Sequence, residues 1–394
     1  MGDGRRHIGT AERRDRLALR QRLAVEARAG GPEEVAGSLV ALHGTDPATV
    51  YLAVGARLAD AAKTVGGTER ALYEDGTLVR MHGMRHTVFV FPTELTAVVH
   101  ASTGLAVAAR ERAALLKHMA AAGAPDAAWL AEVEESALAA LARRGQATAA
   151  ELARDEPRLK EQFVYAAGKR YEGVHTVSTR LLKVLGVEGK VVRGRPLGSW
   201  TSSQFRWAPA PGHPGLDPAG ARAELLRRWL AACGPATEDD LKWWTGWRVT
   251  EVRRALAAIG AEAVSLDEGP GYVVAGDAGP VAGPIGPWAA LLPALDPTAM
   301  ARRERDWYLP PELRPMLFDR SGNVGPTVWW NGRVVGGWAQ RADGEIVWRI
   351  LDGEGIGGEA RAAIAAEAER LGSWVGTTRV TPRFRTPLER ELAA

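Results

Sequence analysis

The sequence has 394 residues, 46% of them hydrophobic, which suits several small cores rather than one large one. No run of eighteen apolar residues occurs and the arginine-rich start has no apolar stretch behind it, so a membrane span and a secretory leader are excluded and a cytoplasmic location is expected. The net charge is +3 but uneven: residues 1–30 carry eight Arg against four acids, and residues 160–206 carry nine Lys or Arg against three, blocks that attract a phosphate backbone. A single cysteine, Cys233, rules out an internal disulfide and a cysteine-cluster metal site, so no metal or cofactor is expected.

In chain order, apolar residues recur at helical spacing from Arg20 to Leu58, and Asp46-Pro47 breaks the pattern ahead of a second helix starting near Ala48. Leu78 to Phe91 is rich in β-branched and aromatic residues and reads as two short strands around Gly83. Helix, helix, hairpin is the winged-helix order. The order repeats: helices are predicted at Ala127–Leu141, Ala149–Asp155 and Thr176–Leu185. Strand-like stretches follow at Lys190–Arg195 and Ser203–Trp207, joined by a long basic loop with Trp200 near its tip. A third copy has helices at Ala221–Ala232, Glu238–Trp244 and Thr250–Ile259 and a short hairpin over Val264–Leu266 and Gly271–Val274. The Gly/Pro-rich stretch Gly276–Gly286 reads as a linker. Beyond it, Thr327–Trp330, Arg333–Trp338 and Glu345–Ile350 are predicted strands turned by Asn331-Gly332 and Asp343-Gly344, and a helix over Gly358–Leu371 closes the unit. The expected fold class is therefore α+β: winged helices over 1–122, 123–215 and 216–280, then a β-rich unit with a closing helix over 281–394.

Certain landmarks occur together in a fixed order. They are Leu42-His-Gly-Thr-Asp-Pro47, Met84-Arg-His-Thr87, Gly234-Pro-Ala-Thr237 with Trp243-Trp-Thr-Gly246, Leu291-Leu-Pro-Ala-Leu-Asp-Pro297, Gly325-Pro-Thr-Val328 and Gly332-Arg-Val-Val335. In this the chain resembles, over nearly its whole length, the winged-helix DNA glycosylases typified by AlkZ and YcaQ. The resemblance implies three tandem winged helices curled around a duplex, a C-terminal β-barrel-like domain, and release of bulky alkylated purines or crosslinks from double-stranded DNA. Those relatives carry Gln-Φ-Gln or Gln-Φ-Asp before the Asp-Pro; here the positions are His43 and Thr45 around Gly44.

An N7-alkylated purine already carries positive charge, so its excision needs a positioned water and stabilisation of an oxocarbenium-like sugar more than leaving-group protonation. His43 as general base and Thr45 as water-positioning group are the expected catalytic pair, set against an ordinary helix cap at Thr45-Asp46 with His43 packed in the turn. Arg85 and His86 on the first wing, and Arg193, Arg195, Trp200 and Arg206 on the second, are the expected DNA contacts, Trp200 as a groove wedge. Trp243, Trp244 and Trp247 read as core. With no lysine at the motif, hydrolysis without strand cleavage is expected. A chain joining three modules without a heptad seam is expected to be a monomer. The alternative is a non-catalytic winged-helix regulator or lesion-shielding factor.

Overall fold

The computed structural model describes residues 4–281 and 285–394. The middle of the expected linker, residues 282–284, lies outside the described residues, as do the first three residues of the basic start. After α1 (Thr10–Arg20) the first unit comprises α2 (Pro32–Leu39), β1 (Leu42–His43), α3 (Pro47–Gly55), α4 (Thr64–Tyr73), β2 (Leu78–His82) and β3 (Val88–Pro92). Asp46 caps α3 by accepting from the Ala48 amide at 3.1 Å, and Pro47 occupies the first turn, where its missing N–H costs nothing. Helices α5 (Thr93–Val99) and α6 (Leu105–Ala121) lead into a second unit. It consists of α7 (Ala127–Arg144), α8 (Ala149–Asp155), β4 (Gln162–Tyr165), β5 (Gly173–Thr176), α9 (Val177–Val187), β6 (Val191–Pro196) and β7 (Phe205–Pro209). The third unit has α10 (Pro218–Cys233), α11 (Glu238–Thr245), α12 (Val249–Ala258), β8 (Glu262–Leu266) and β9 (Gly269–Val273).

One pairing recurs in all three units. The residues just before the second helix join the returning strand of the hairpin: Leu42 and His43 with Val90 and Phe89, Ala147 with Trp207, Ala236 with Tyr272. Capping boxes at Thr148/Glu151 and Thr237/Asp240 then start α8 and α11, each closing two helix-end amides. The remaining elements are β10 (Ala289–Leu292), α13 (Pro297–Met300), α14 (Arg314–Leu317), β11 (Thr327–Trp330), β12 (Arg333–Gln340), β13 (Ile346–Ile350), α15 (Gly358–Val375) and α16 (Pro387–Leu392). Their antiparallel sheet runs β10-β11-β12-β13 and is open, so the barrel-like closure expected of this end is not what the described strands form. Among the described residues no helix is long and apolar enough to cross a membrane.

The first unit's sheet, ordered β1-β3-β2, divides two cores because side chains alternate across a strand. Leu42, Leu78 and Val90 join a cluster shared with α3, the C-terminal sheet and α15. Met81, Phe89 and Phe91 face the other way, into a cluster with Trp229, Leu230 and Trp244 of the third unit. The second unit keeps a core of its own, drawn from residues 115–207.

Candidate active site and nucleic-acid interface

His43 belongs to β1 and shares the strand face of Phe89, its paired residue on β3, whose ring meets it edge-on at 5.4 Å. The residue is 8% exposed. It lines a narrow cavity with Arg85, Trp229, Cys233, Trp244, Met300 and other apolar neighbours, with room for about one water. Burial, and then the positive charge of Arg85, hold the imidazole down at about 4, so it is neutral at physiological pH. Its Nδ1 lies 3.5 Å from the Thr45 amide, a long contact in which the amide donates to the ring nitrogen. Such a group is a weak base, better suited to holding a water than to removing its proton.

Thr45 is half-buried beside it. Gly44 permits a close approach of protein rather than of ligand: its amide donates to the Val88 carbonyl at 2.8 Å, and a Cβ there would meet the Phe89 backbone at 3.3 Å. Asp46 is fully engaged, capping α3 with Oδ1 and accepting the Arg383 amide at 2.9 Å with Oδ2. Among the described residues no carboxylate and no lysine lines the His43 cavity. Cys233 in its wall is pushed up to about 11 by burial, which keeps it a thiol rather than a nucleophile.

Arg85 sits at the tip of the first hairpin with φ at +53°, its guanidinium 4.1 Å over the Trp243 ring. The turn between α11 and α12 makes room for it: Gly246, at φ +73°, would place a Cβ 2.9 Å from the Arg85 Cγ. Arg85 also lines a wide, open groove, together with His86, Arg110, Glu111, Arg222, Trp247 and Arg248. His86 is bound to Glu111 at 3.1 Å and Arg222 to Glu251 at 3.2 Å. Among the described residues Arg85, Arg110 and Arg248 have no carboxylate within ion-pair distance, so the groove carries uncompensated positive charge. Arg110 and Arg248 escaped the sequence reading. Arg248 stands two residues after the Thr245-Gly246 turn, which is a usable signal; Arg110 lies on a helix whose exposed face carries none.

The second hairpin differs from the expectation. Trp200 is 6% exposed and packs between Tyr51 of α3, at 5.1 Å, and Trp374 of α15, at 6.0 Å, so it is a docking residue and not a free wedge. Arg195 pairs with Glu69 and Glu74 of the first unit, and Arg206 with Glu151, which leaves neither free for a phosphate in this conformation. Arg193 has no such partner among the described residues and lies 4.5 Å over Phe205. Trp244 and Trp247 are core, as read from their spacing, while Trp243 is the half-buried platform under Arg85. The structure thus brings His43, Thr45 and Arg85 together, leaves His86 on the adjoining groove wall, and places the second-hairpin residues elsewhere.

Residues 36–374 match the family described as DNA glycosylase AlkZ-like. The chain belongs to the AlkZ-like DNA glycosylase family. Among solved structures it is similar to the Streptomyces sahachiroi DNA glycosylase AlkZ at 20% identity, with a TM-score of 0.69 over 94% of this chain and 98% of that one. No curated protein matches.

Proposed function

We propose that this chain hydrolyses the N-glycosidic bond of bulky N7- or N3-alkylated purines in duplex DNA, acting as a monomer on three winged helices spanning 1–122, 123–215 and 216–280. The observation that carries the reading is that Arg85 lines both the arginine-bearing groove and the cavity holding His43. A backbone bound along the groove through Arg85, Arg110 and Arg248 puts a sugar near the family's motif position. The neutral His43 imidazole and Thr45 hold a water. Its oxygen bonds to C1′ as the C1′–N bond breaks, the bond's electron pair neutralises the cationic purine, and the water's proton passes to solvent. A weak base suffices because the leaving group is already activated. With no lysine at the cavity among the described residues, the product is an intact abasic strand.

The test is base release from a duplex treated with a nitrogen mustard or a DNA-alkylating natural product, by the native chain and by His43→Ala. Native protein is expected to release alkylated purine without strand cleavage, and His43→Ala to lose at least tenfold in rate. Full activity in the variant removes His43 from the site. Tight binding with no release by native protein favours a lesion-shielding factor instead.

A further inference from the structure

A second cationic feature lies away from the groove. Arg80 is on β2, on the strand face of His82, whose ring is within 3.6 Å of where a side chain at Gly186 of α9 would stand. It is 4% exposed, and its Nε and Nη2 are buried without any acceptor. Strand β2 packs against β6, which carries Arg193, whose own Nε is likewise buried and unpartnered. Arg383 approaches from the C-terminal segment, held by its amide on Asp46 and exposed to solvent.

Among the described residues no carboxylate lies within ion-pair distance of any of the three guanidinia; the nearby Glu69 and Glu74 are taken by Arg195, and Asp46 by a helix cap and a backbone amide. Burial, followed by the charges of Arg80 and Arg383, holds Arg193 down to about 10. Buried donors lacking acceptors, gathered with like charges, are costly to keep unless an anion completes them. Planar guanidinium forks match phosphate oxygens in geometry and charge.

We propose that Arg80, Arg193 and Arg383 form a phosphate-binding cradle between the first and second hairpins, filled by a backbone phosphate of the bound duplex. Its natural ligand rests on the reading of DNA as substrate. The cradle itself does not, because it should also take inorganic phosphate. Arg383 is the exposed entrance, and Arg80 the inner wall, reached by a small parting of the hairpins.

Two measurements test it on the full chain. In the first, thermal unfolding is followed with inorganic phosphate against sodium chloride at matched ionic strength. Phosphate is expected to raise the native Tm beyond chloride, and Arg193→Gln, Arg383→Gln and Arg80→Met to lose that increment, Arg80→Met without lowering the ligand-free Tm. In the second, duplex affinity is measured against salt. Arg383→Gln is expected to weaken binding and to reduce the log–log salt slope by about one. Native-like phosphate response and salt slope in both Arg193→Gln and Arg383→Gln would overturn the cradle. A lost phosphate increment with an unchanged duplex slope overturns DNA as its source and leaves a free-phosphate site. Failure of base release touches none of these readouts, so the two proposals fail separately.

Discussion

At the scale of single residues, His43 decides how the site responds to pH. The ring is held at about 4 and that of His82 at about 3, both first by burial, whereas in the unfolded chain each titrates near 6.5. The contribution of His43 is therefore fully present above pH 6.5 and is lost as pH falls from 6.5 through 4, because in that window the unfolded chain binds a proton that the native one refuses. For His43 the loss between pH 7 and pH 4 amounts to about 3 kcal/mol. Urea unfolding at the two pH values should show His43→Gln relieved of that share of the acid destabilisation. Base release by the native protein should stay level from pH 8 to pH 5; a fall centred near 6.5 would mean that the imidazole is not buried in the working enzyme. Much of this site was legible in the sequence. The Asp-Pro after His43-Gly44-Thr45 announced a capped helix, and Asp46 caps it. The burial was not legible, because it comes from Trp229 and Trp244, nearly two hundred residues away, and no local pattern records which distant face a two-residue strand meets.

At the scale of elements, helices and hairpins with local punctuation were readable. Ala149–Asp155 and Thr327–Trp330 lie where the N-cap at Thr148 and the Asn-Gly turn put them. The insert β4–β5 between α8 and α9 was missed, since its exposed Val164 and Val174 give no half-buried alternation, and α4 was missed because its Gly66-Gly67 pair disguises a helix. The second hairpin is legible but its packing is not: a basic loop with an aromatic tip suits a groove wedge, and the same residues suit docking onto an acidic, aromatic neighbour. Tyr51, Glu69, Glu74 and Trp374 supply that neighbour here. Trp200→Ala should accordingly destabilise the chain by about 3 to 5 kcal/mol, in line with loss of a buried aromatic. A wedge would instead cost duplex affinity at unchanged stability, and denaturant unfolding set beside a duplex titration separates the two.

At the scale of the whole molecule, the three repeats are not equivalent, and the difference lies in how their cores are shared. The first unit is fused to the C-terminal sheet through one cluster and to the third unit through another, whereas the second has its own core and meets the first through Trp200, through β2 against β6 and α9, and through the ion pairs of Arg195 with Glu69 and Glu74. The seam to the C-terminal part is fixed by Arg57, following α3. It is fully buried, donates to both Asp296 oxygens at 2.7 and 2.9 Å, and spends its remaining donors on the Gln21 and Ala53 carbonyls and the Thr298 hydroxyl. Arg57→Met leaves Asp296 buried without its cation, which should cost about 3 to 5 kcal/mol. If the cores are partitioned as described, the loss falls on one cooperative block. Hydrogen exchange in the variant should quicken together across the first unit and β10 to β13, while amides within 115–207 hold their native protection. Equal acceleration in the second unit would show that the three repeats open as a single body, and that its separate core confers no independent stability.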